Sequence, residues 1–332
     1  MIAYPEDYNQ YLSIVESELA IKAIKDMFED RLSLALHLIR VSAPLFVKKH
    51  SGINDRLDGS SKPVSFKNSQ IDDECEIVQS LAKWKRLALK RYKFSLMQGL
   101  YTDMNAIRKH EHLDNIHSMF VDQWDWECII DEQDRTIDTL KHYVNTIYSV
   151  LLGVEKMVEE TFAIKSSLAK NVTFIHAQEL LDMYPDLNAK QREYEITKKH
   201  KSVFIIGIGD ALSNNQSHDS RAFDYDDWSL NGDLLVYYPL LDAAIELSSM
   251  GIRVNAKQLV SQSKKAKKKH MLSQPFHQMI INHQLPSTIG GGIGQSRMCL
   301  ILLKKAHIGE VQASVWPVEM EQQASEKGIV LL

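Results

Sequence analysis

The run Thr288-Ile-Gly-Gly-Gly-Ile-Gly-Gln-Ser-Arg297 constrains this chain more than any other stretch. Its glycines (Gly290, Gly291, Gly292, Gly294) strip side chains from the backbone, so a ligand can approach closely. Met298-Cys-Leu-Ile-Leu-Leu-Lys-Lys305 follows with an apolar helical pattern and lysines where a last turn would fall. A turn feeding a helix N-terminus offers unpaired N–H groups and a partial positive charge, and Arg297 adds a fixed cation. The stretch reads as a turn-and-helix site for an anion or nucleotide, or, more plainly, as a flexible turn before a buried helix. Two phosphate-binding signatures do not fit. A P-loop needs Gly-Lys-Ser/Thr after its glycines, and a dinucleotide fingerprint needs a third glycine where Arg297 stands.

With 332 residues the chain is long enough for one large domain or two ordinary ones. A net charge of −4 gives no global field toward nucleic acid or a membrane surface. The three widely spaced cysteines (Cys75, Cys128, Cys299) predict free thiols in a reducing compartment. The opening Met1-Ile-Ala-Tyr-Pro-Glu-Asp is not a signal peptide, and no apolar run reaches the roughly 18 residues of a membrane helix. A soluble cytoplasmic protein is the expectation.

Ile14, Ile21, Ile24, Phe28 and Leu32 recur at helical spacing and predict a long amphipathic helix over 8–36, followed by a strand at 38–43 that ends at Pro44. Residues 51–73 are polar and read as a loop. Residues 80–92 read as a basic helix, and 136–163 as another helix. Val203–Gly209 reads as a strand, and Asp233–Tyr238 as a second strand after an Asn231-Gly232 turn pair. Helices and short strands alternate without a regular βαβ rhythm. Lys264–Lys269 is a basic run, read as a solvated face rather than a nucleic-acid patch.

Several constellations carry chemistry. In Val121-Asp-Gln-Trp-Asp-Trp-Glu127, strand alternation puts Val121, Gln123, Asp125 and Glu127 on one face. A Gln and an Asp two apart can jointly hold an ammonium group, although the same pattern describes the solvent-facing side of an ordinary sheet. Trp124 and Trp126 then face the core, or one of them stacks on a ligand. Asp224-Tyr-Asp-Asp-Trp228, Asp233 and Glu246 concentrate hard oxygens suited to Mg²⁺, or supply turn and cap aspartates. Lys83, Lys85 and Arg108 are each either surface cations or anion ligands; an arginine fork can clamp phosphate or carboxylate in two places. Thirteen histidines are scattered without metal-ligand spacing.

Arg108, the strand to Glu127 and the glycine run ending in Arg297 resemble motifs two and three of class II aminoacyl-tRNA synthetases, and Pro44 with its preceding helix and strand resembles motif one. Ser80–Arg86, Gly99–Thr102, Val121–Glu127, Asp224–Trp228, Asn231–Asp233, Glu246–Arg253, Thr288–Arg297 and His307–Ala313 together resemble the asparagine synthetase A family, the ammonia-using aspartate–ammonia ligases. The resemblance covers nearly the whole chain. It implies an α+β (two-layer α/β) fold, a mostly antiparallel sheet flanked by helices. It also implies one catalytic domain over 1–332, with a dimer element at about 8–46 and a catalytic core at about 75–313.

The implied reaction joins L-aspartate and ammonia with ATP–Mg²⁺ in a cytoplasmic homodimer, through a β-aspartyl-adenylate, and releases L-asparagine, AMP and pyrophosphate. Carried over by position, Arg108 and Arg297 would clamp the ATP phosphates, with Arg297 stacking on adenine. Lys85 would contact the aspartate carboxylate, or the activated acyl phosphate. Gln123 and Asp125 would hold its amino group, beside Ser80. Asp233 and Glu246 would carry Mg²⁺. Asp226, Ser248, Ser249, Arg253, Gly292 and Gly294 would line the nucleotide pocket. Asp55 matches the family aspartate that receives ammonium and takes its proton, a role that the resemblance alone supplies.

The chain departs from the family pattern in two places. Only Ser229 and Leu230 separate Trp228 from Asn231, where relatives carry a longer loop, and Gln79 replaces a histidine. Two other readings were weighed: a tRNA synthetase catalytic core, which would need an anticodon-binding domain, and a non-catalytic binding or regulatory paralogue, which would be expected to have lost these arginines and acids. A glutamine-dependent synthetase would need an N-terminal cysteine nucleophile, and this chain begins Met1-Ile2-Ala3.

Overall fold

The computed structural model describes residues 4–6, 8–57, 61–165 and 167–332. Among the described residues the strands run β1 (Leu38–Arg40), β2 (Phe46–Lys48), β3 (Ser65–Lys67), β4 (Glu74–Ile77), β5 (Gly99–Ile107), β6 (Phe120–Ile129), β7 (Thr173–His176), β8 (Ser202–Ile206), β9 (Asp226–Tyr238), β10 (Ala243–Arg253) and β11 (Thr288–Gly294). The helices are α1 (Ile14–Ala35), α2 (Ala82–Arg91), α3 (Ile137–Phe162), α4 (Ala177–Met183), α5 (Ala189–His200), α6 (Ala256–Lys265), α7 (Pro275–Ile281), α8 (Gln295–Leu302) and α9 (Val318–Glu326).

Eight strands form one sheet in the order β1-β5-β6-β11-β10-β9-β8-β7, and β2-β4-β3 form a small second sheet. The large sheet is mixed. Its interior pairs are antiparallel, while β1–β5 and β7–β8 are parallel at the two edges. This refines the mostly antiparallel expectation.

The two faces of the sheet do different work. On one, α1 and α3 cover the core. Phe28 stacks on Trp124 at 4.7 Å and Tyr143 on Trp126 at 5.6 Å, and both tryptophans are fully buried. Alternation along β6 then turns Gln123, Asp125 and Glu127 to the opposite face. That face is covered by α2 and α5, and beside α2 a cavity opens over the sheet. A Ser13–Glu16 capping box starts α1 six residues later than periodicity suggested.

Several local readings need correction. The glycine run is not a turn: Thr288–Gly294 is a central strand, paired on one side with β6 and on the other with β10. Helix α8 starts directly at Gln295 and ends before Lys304 and Lys305. Asn231-Gly232 is likewise inside a strand, where a Cβ on residue 232 would meet the Ile205 carbonyl oxygen at 2.2 Å. The short segment after Trp228 is no loop at all. Residues 227–230 bulge out of β9, so that Asn231 pairs with Gly251 and Asp226 with Arg253. The strands at 38–43 and 203–209 shorten to 38–40 and 202–206. The 51–73 loop contains β3 and contributes to the small sheet. Its Asp58–Ser60 segment, and Met1–Ala3 of the opening stretch read as no signal peptide, lie outside the described residues. Among the described residues no helix is long and apolar enough to cross a membrane.

Candidate active site

The cavity, of about 350 Å³, is floored by β6, β11 and β10. Its shape explains the glycines. A Cβ on Gly290 would lie 2.0 Å from Glu127 Oε2, and one on Gly292 would lie 2.5 Å from Gln123 Oε1. The run is bare because the side chains of β6 lean across it, so the close approach is by the protein's own acids as well as by any ligand. A register shift in β10 between Glu246 and Ser248 turns both Glu246 and Ser249 into the cavity, which an unbroken strand could not do for residues three apart.

At one end lies a buried charge network. Arg253 donates from Nε and Nη2 to Glu127 at 2.9 and 2.7 Å, and from Nη1 to Asp226. Lys85 Nζ donates to Asp125 at 2.5 Å and to the Gly291 carbonyl at 2.9 Å. Lys83 and Lys85 are both almost wholly buried, so the surface-cation reading of this helix is wrong. Burial alone would raise Glu127, but Arg253 and Lys85 outweigh it and hold the carboxyl below its usual range. Asp55 sits in the adjoining wall. Its Oδ2 accepts the Ala82 N–H at 3.2 Å, and its Oδ1 is buried without a hydrogen-bond partner among the described residues. Lys83 is 3.9 Å away but is committed to Asp224 at 2.6 Å, and Asp224 in turn meets His277 at 2.9 Å. Burial therefore pushes Asp55 up to about 6, against the pull of Lys83.

At the other end two arginines converge. Arg108 follows β5 at the base of a hairpin closed by its N–H to the Met119 carbonyl, 2.9 Å. Its Nε is buried without a hydrogen-bond partner among the described residues. Arg297, in the first turn of α8, donates to the Glu246 carbonyl at 2.9 Å. Burial lowers the Arg108 pKa, and the like charge of Arg297 lowers it further despite Glu111. Glu246 is held ionised: burial opposes this, but Arg297, Arg221, Lys190 and Arg108 outweigh it. The free helix N-terminus expected beside Arg297 is already filled. Asp122 accepts from the Ser296 N–H at 3.1 Å and from its hydroxyl at 2.8 Å.

Ser80, Lys85, Arg108, Gln123, Asp125, Asp226, Glu246, Ser249, Arg253, Gly292, Gly294 and Arg297 all line the cavity. Asp55 lies behind Ser80 and Ala82. Ser248 and Asp233 do not line it. The Ser248 hydroxyl donates to the Gly292 carbonyl at 2.9 Å, and both Asp233 oxygens are held by Arg221 at 2.6 and 2.7 Å. Burial raises Asp233 to about 7, with Glu246 and Asp219 adding to the rise and Arg221 opposing it. Sequence reasoning missed Arg221, Asp219 and Tyr225, which complete the wall. No local pattern marks Arg221; its contacts come from the chain crossing back between β8 and β9.

The family model for aspartate-ammonia ligase matches residues 15–328. The chain belongs to that family. An aspartate–ammonia ligase of Clostridium perfringens is 56% identical over 330 residues, covering 99% of this chain and 98% of the relative. The Mycoplasmoides gallisepticum ligase is 53% identical over 324 residues, covering 97% and 99%. Among solved structures, the asparaginyl-tRNA synthetase of Pyrococcus horikoshii complexed with asparaginyl-adenylate aligns with a TM-score of 0.64 at 15% identity, over 91% of this chain and 70% of the synthetase. The Entamoeba histolytica enzyme, also with asparaginyl-adenylate, gives 0.63 at 13%, over 90% and 66%. At such identities the synthetases share the fold, and they lend no weight to the tRNA-synthetase alternative.

The buried network of Glu127, Arg253 and Asp226 has a measurable signature. Glu127→Gln leaves Arg253 buried with one acid fewer, and breaking such a pair costs about 3–5 kcal/mol. Because the Glu127 pKa is depressed, its contribution is full above the ordinary Glu value of 4.5 and is lost as pH falls through the lowered value. Urea unfolding should show the variant far weaker than wild type at pH 7, with the gap closing in acid. A gap that stays constant down to pH 3 would contradict the assignment.

Proposed function

We propose that this chain makes L-asparagine from L-aspartate and ammonia, cleaving ATP to AMP and pyrophosphate through a β-aspartyl-adenylate. Family membership supports the substrates and the ligase class. The observation that carries the mechanism is the Arg108–Arg297 pair: two guanidiniums converging in one cavity, with the buried Arg108 Nε left without a partner among the described residues. Two like charges held together with an unmet donor describe a phosphate clamp.

A carboxylate is a poor electrophile, and transfer to the α-phosphorus gives it a good leaving group. Arg108 and Arg297 would neutralise the charge that builds there, and Arg297 would also stack on the base. At the opposite end, Lys85 and Arg253 supply cations for the carboxylates of aspartate, while Gln123 and Asp125 accept from its ammonium group. Ser80 and Asp226 border that end. Ser249, Gly292 and Gly294 line the nucleotide side, and Ser248 supports it by holding the Gly292 carbonyl. Asp233 and Glu246 offer hard oxygens that fit Mg²⁺, which when bound would neutralise phosphate charge. The Glu246 side chain, 34% exposed, faces the cavity, whereas Asp233 is engaged by Arg221. Chromatography of the products should find AMP and pyrophosphate, and Arg108→Ala or Arg297→Ala should each lower turnover by about 10²-fold while the fold persists. ADP with orthophosphate would overturn the mechanism.

Asp55 serves the second half-reaction. Its Oδ1, which accepts no hydrogen bond among the described residues, can attract ammonium, and a pKa near 6 lets it then accept the proton near neutral pH. Adenylation needs no ammonia. Asp55→Asn should therefore keep aspartate-dependent ATP–pyrophosphate exchange while asparagine formation falls steeply. In wild type, asparagine formation should fall as pH drops through about 6, where Asp55 becomes protonated. Full synthesis by the variant would remove Asp55 from the mechanism.

We further propose that the chain is one catalytic domain acting as a cytoplasmic homodimer. The outer side of α1 and the segment after it expose Val15 (70%), Leu19 (63%), Leu34 (78%), Ile39, Leu45 and Phe46, an apolar strip suited to two-fold pairing. The free, buried cysteines suit a reducing compartment. Sedimentation should give a dimer of the 38.0 kDa chain, and Leu19→Glu with Leu34→Glu should shift it toward monomer. A wild-type monomer at micromolar concentration would contradict the pairing.

A further inference from the structure

Arg221 has no task in the reaction set out above, yet both of its terminal nitrogens are engaged. It lies on the crossing between β8 and β9, with its side chain only 12% exposed. Nη2 bridges both Asp233 oxygens at 2.6 and 2.7 Å, Nη1 donates to Ser249 Oγ at 2.8 Å, and Nε lies 3.1 Å from Asp219 Oδ2. Asp233 and Ser249 are direct cross-strand partners on β9 and β10. A single guanidinium thus sits where two strands and the crossing meet, on the one carboxylate that the metal reading requires and the cavity does not reach.

The donor chemistry of Asp233 and Glu246 suits a divalent cation, but the position at Asp233 already holds a positive charge. An ion arriving alone would have to break both charge-assisted bonds of Nη2 and approach a guanidinium with nothing to offset the repulsion. A metal arriving on nucleotide phosphates brings the offset with it: phosphate oxygens give Arg221 another anionic partner as it leaves Asp233. Resting on the ATP-dependent reading, we propose that Arg221 is a tethered placeholder that occupies the divalent-cation position at Asp233 in the free enzyme and yields it only to a metal delivered with nucleotide. The device keeps the acidic wall closed to stray divalent ions and makes metal entry depend on nucleotide entry.

Mn²⁺ is the probe, and its binding to the enzyme is followed by the electron paramagnetic resonance signal of the free ion, with no turnover required. Wild type without nucleotide should show only weak Mn²⁺ uptake. Arg221→Gln, without nucleotide, should gain one site at least about tenfold tighter, and adding Asp233→Asn to that variant should remove it. Arg221→Lys, which keeps the charge, should show little of the gain. A merely structural arginine would create no metal site on removal. A folded Arg221→Gln protein that titrates like wild type would overturn the proposal, as would a gained site that survives Asp233→Asn. Should the Gln variant fail to fold, wild type decides: nucleotide-free uptake of one Mn²⁺ as tight as that seen with α,β-methylene-ATP overturns it, and uptake only with the analogue upholds it. Because the titration involves no catalysis, its failure is separate from a failure of the AMP-forming reading, which the product assay reports.

Discussion

The ion network of Arg253 with Glu127 and Asp226 is the contact on which the rest of the site depends. It ties β6 to β10 across the glycine strand and pulls the first residue of β9 into the same cluster. All three groups are buried. A buried charge is tolerated only when it is paired and hydrogen-bonded, so the network fixes its neighbours as well as itself. Gly290 must stay bare because Glu127 lies over it, and the bulge at 227–230 is what lets Asp226 reach Arg253 while Asn231 keeps its place in the sheet.

From that cluster the cavity grades in charge. Lys85 and Arg253 answer to Asp125, Glu127 and Asp226 at one end, and Arg108 and Arg297 face Glu246 at the other. Neither end is simply basic, although the proposed substrates are anionic. The acids hold the cations in position before anything binds, so that few side chains need to reorganise when charge develops. Asp55 is set apart from this balance. Its nearest cation is drawn away to Asp224, which leaves a carboxyl whose affinity for a proton lies close to working pH.

Much of this could be read from the chain alone, where the signal was local. The period of two along Val121–Glu127 separated the core-facing tryptophans from Gln123, Asp125 and Glu127, and the structure places the latter on the cavity face rather than in solvent. The helix at 136–163 differs from the observed one by a residue at each end. The failures came where neighbours decide. Glycine marks a turn and a crowded strand with the same letter, so Thr288–Gly294 and Asn231-Gly232 were taken for turns when adjacent side chains and a carbonyl oxygen required the missing Cβ atoms. Burial of Lys83 and Lys85 could not be read from a basic helix, because the acids that accept them, Asp224 and Asp125, lie beyond β8 and on β6. Arg221 left no trace at all. The identities of Arg108 and Arg297 as a pair came from family resemblance, and their convergence from the fold.

The central claim is that the β-carboxylate of aspartate attacks the α-phosphorus of ATP. Aspartate labelled with ¹⁸O in its β-carboxyl group tests this directly. In the proposed path one carboxyl oxygen bridges carbon and phosphorus in the adenylate and leaves with phosphorus when ammonia displaces it. Mass spectrometry should therefore find one ¹⁸O in each AMP formed and none in pyrophosphate. Label in orthophosphate, or AMP that carries none while asparagine accumulates, would contradict the account.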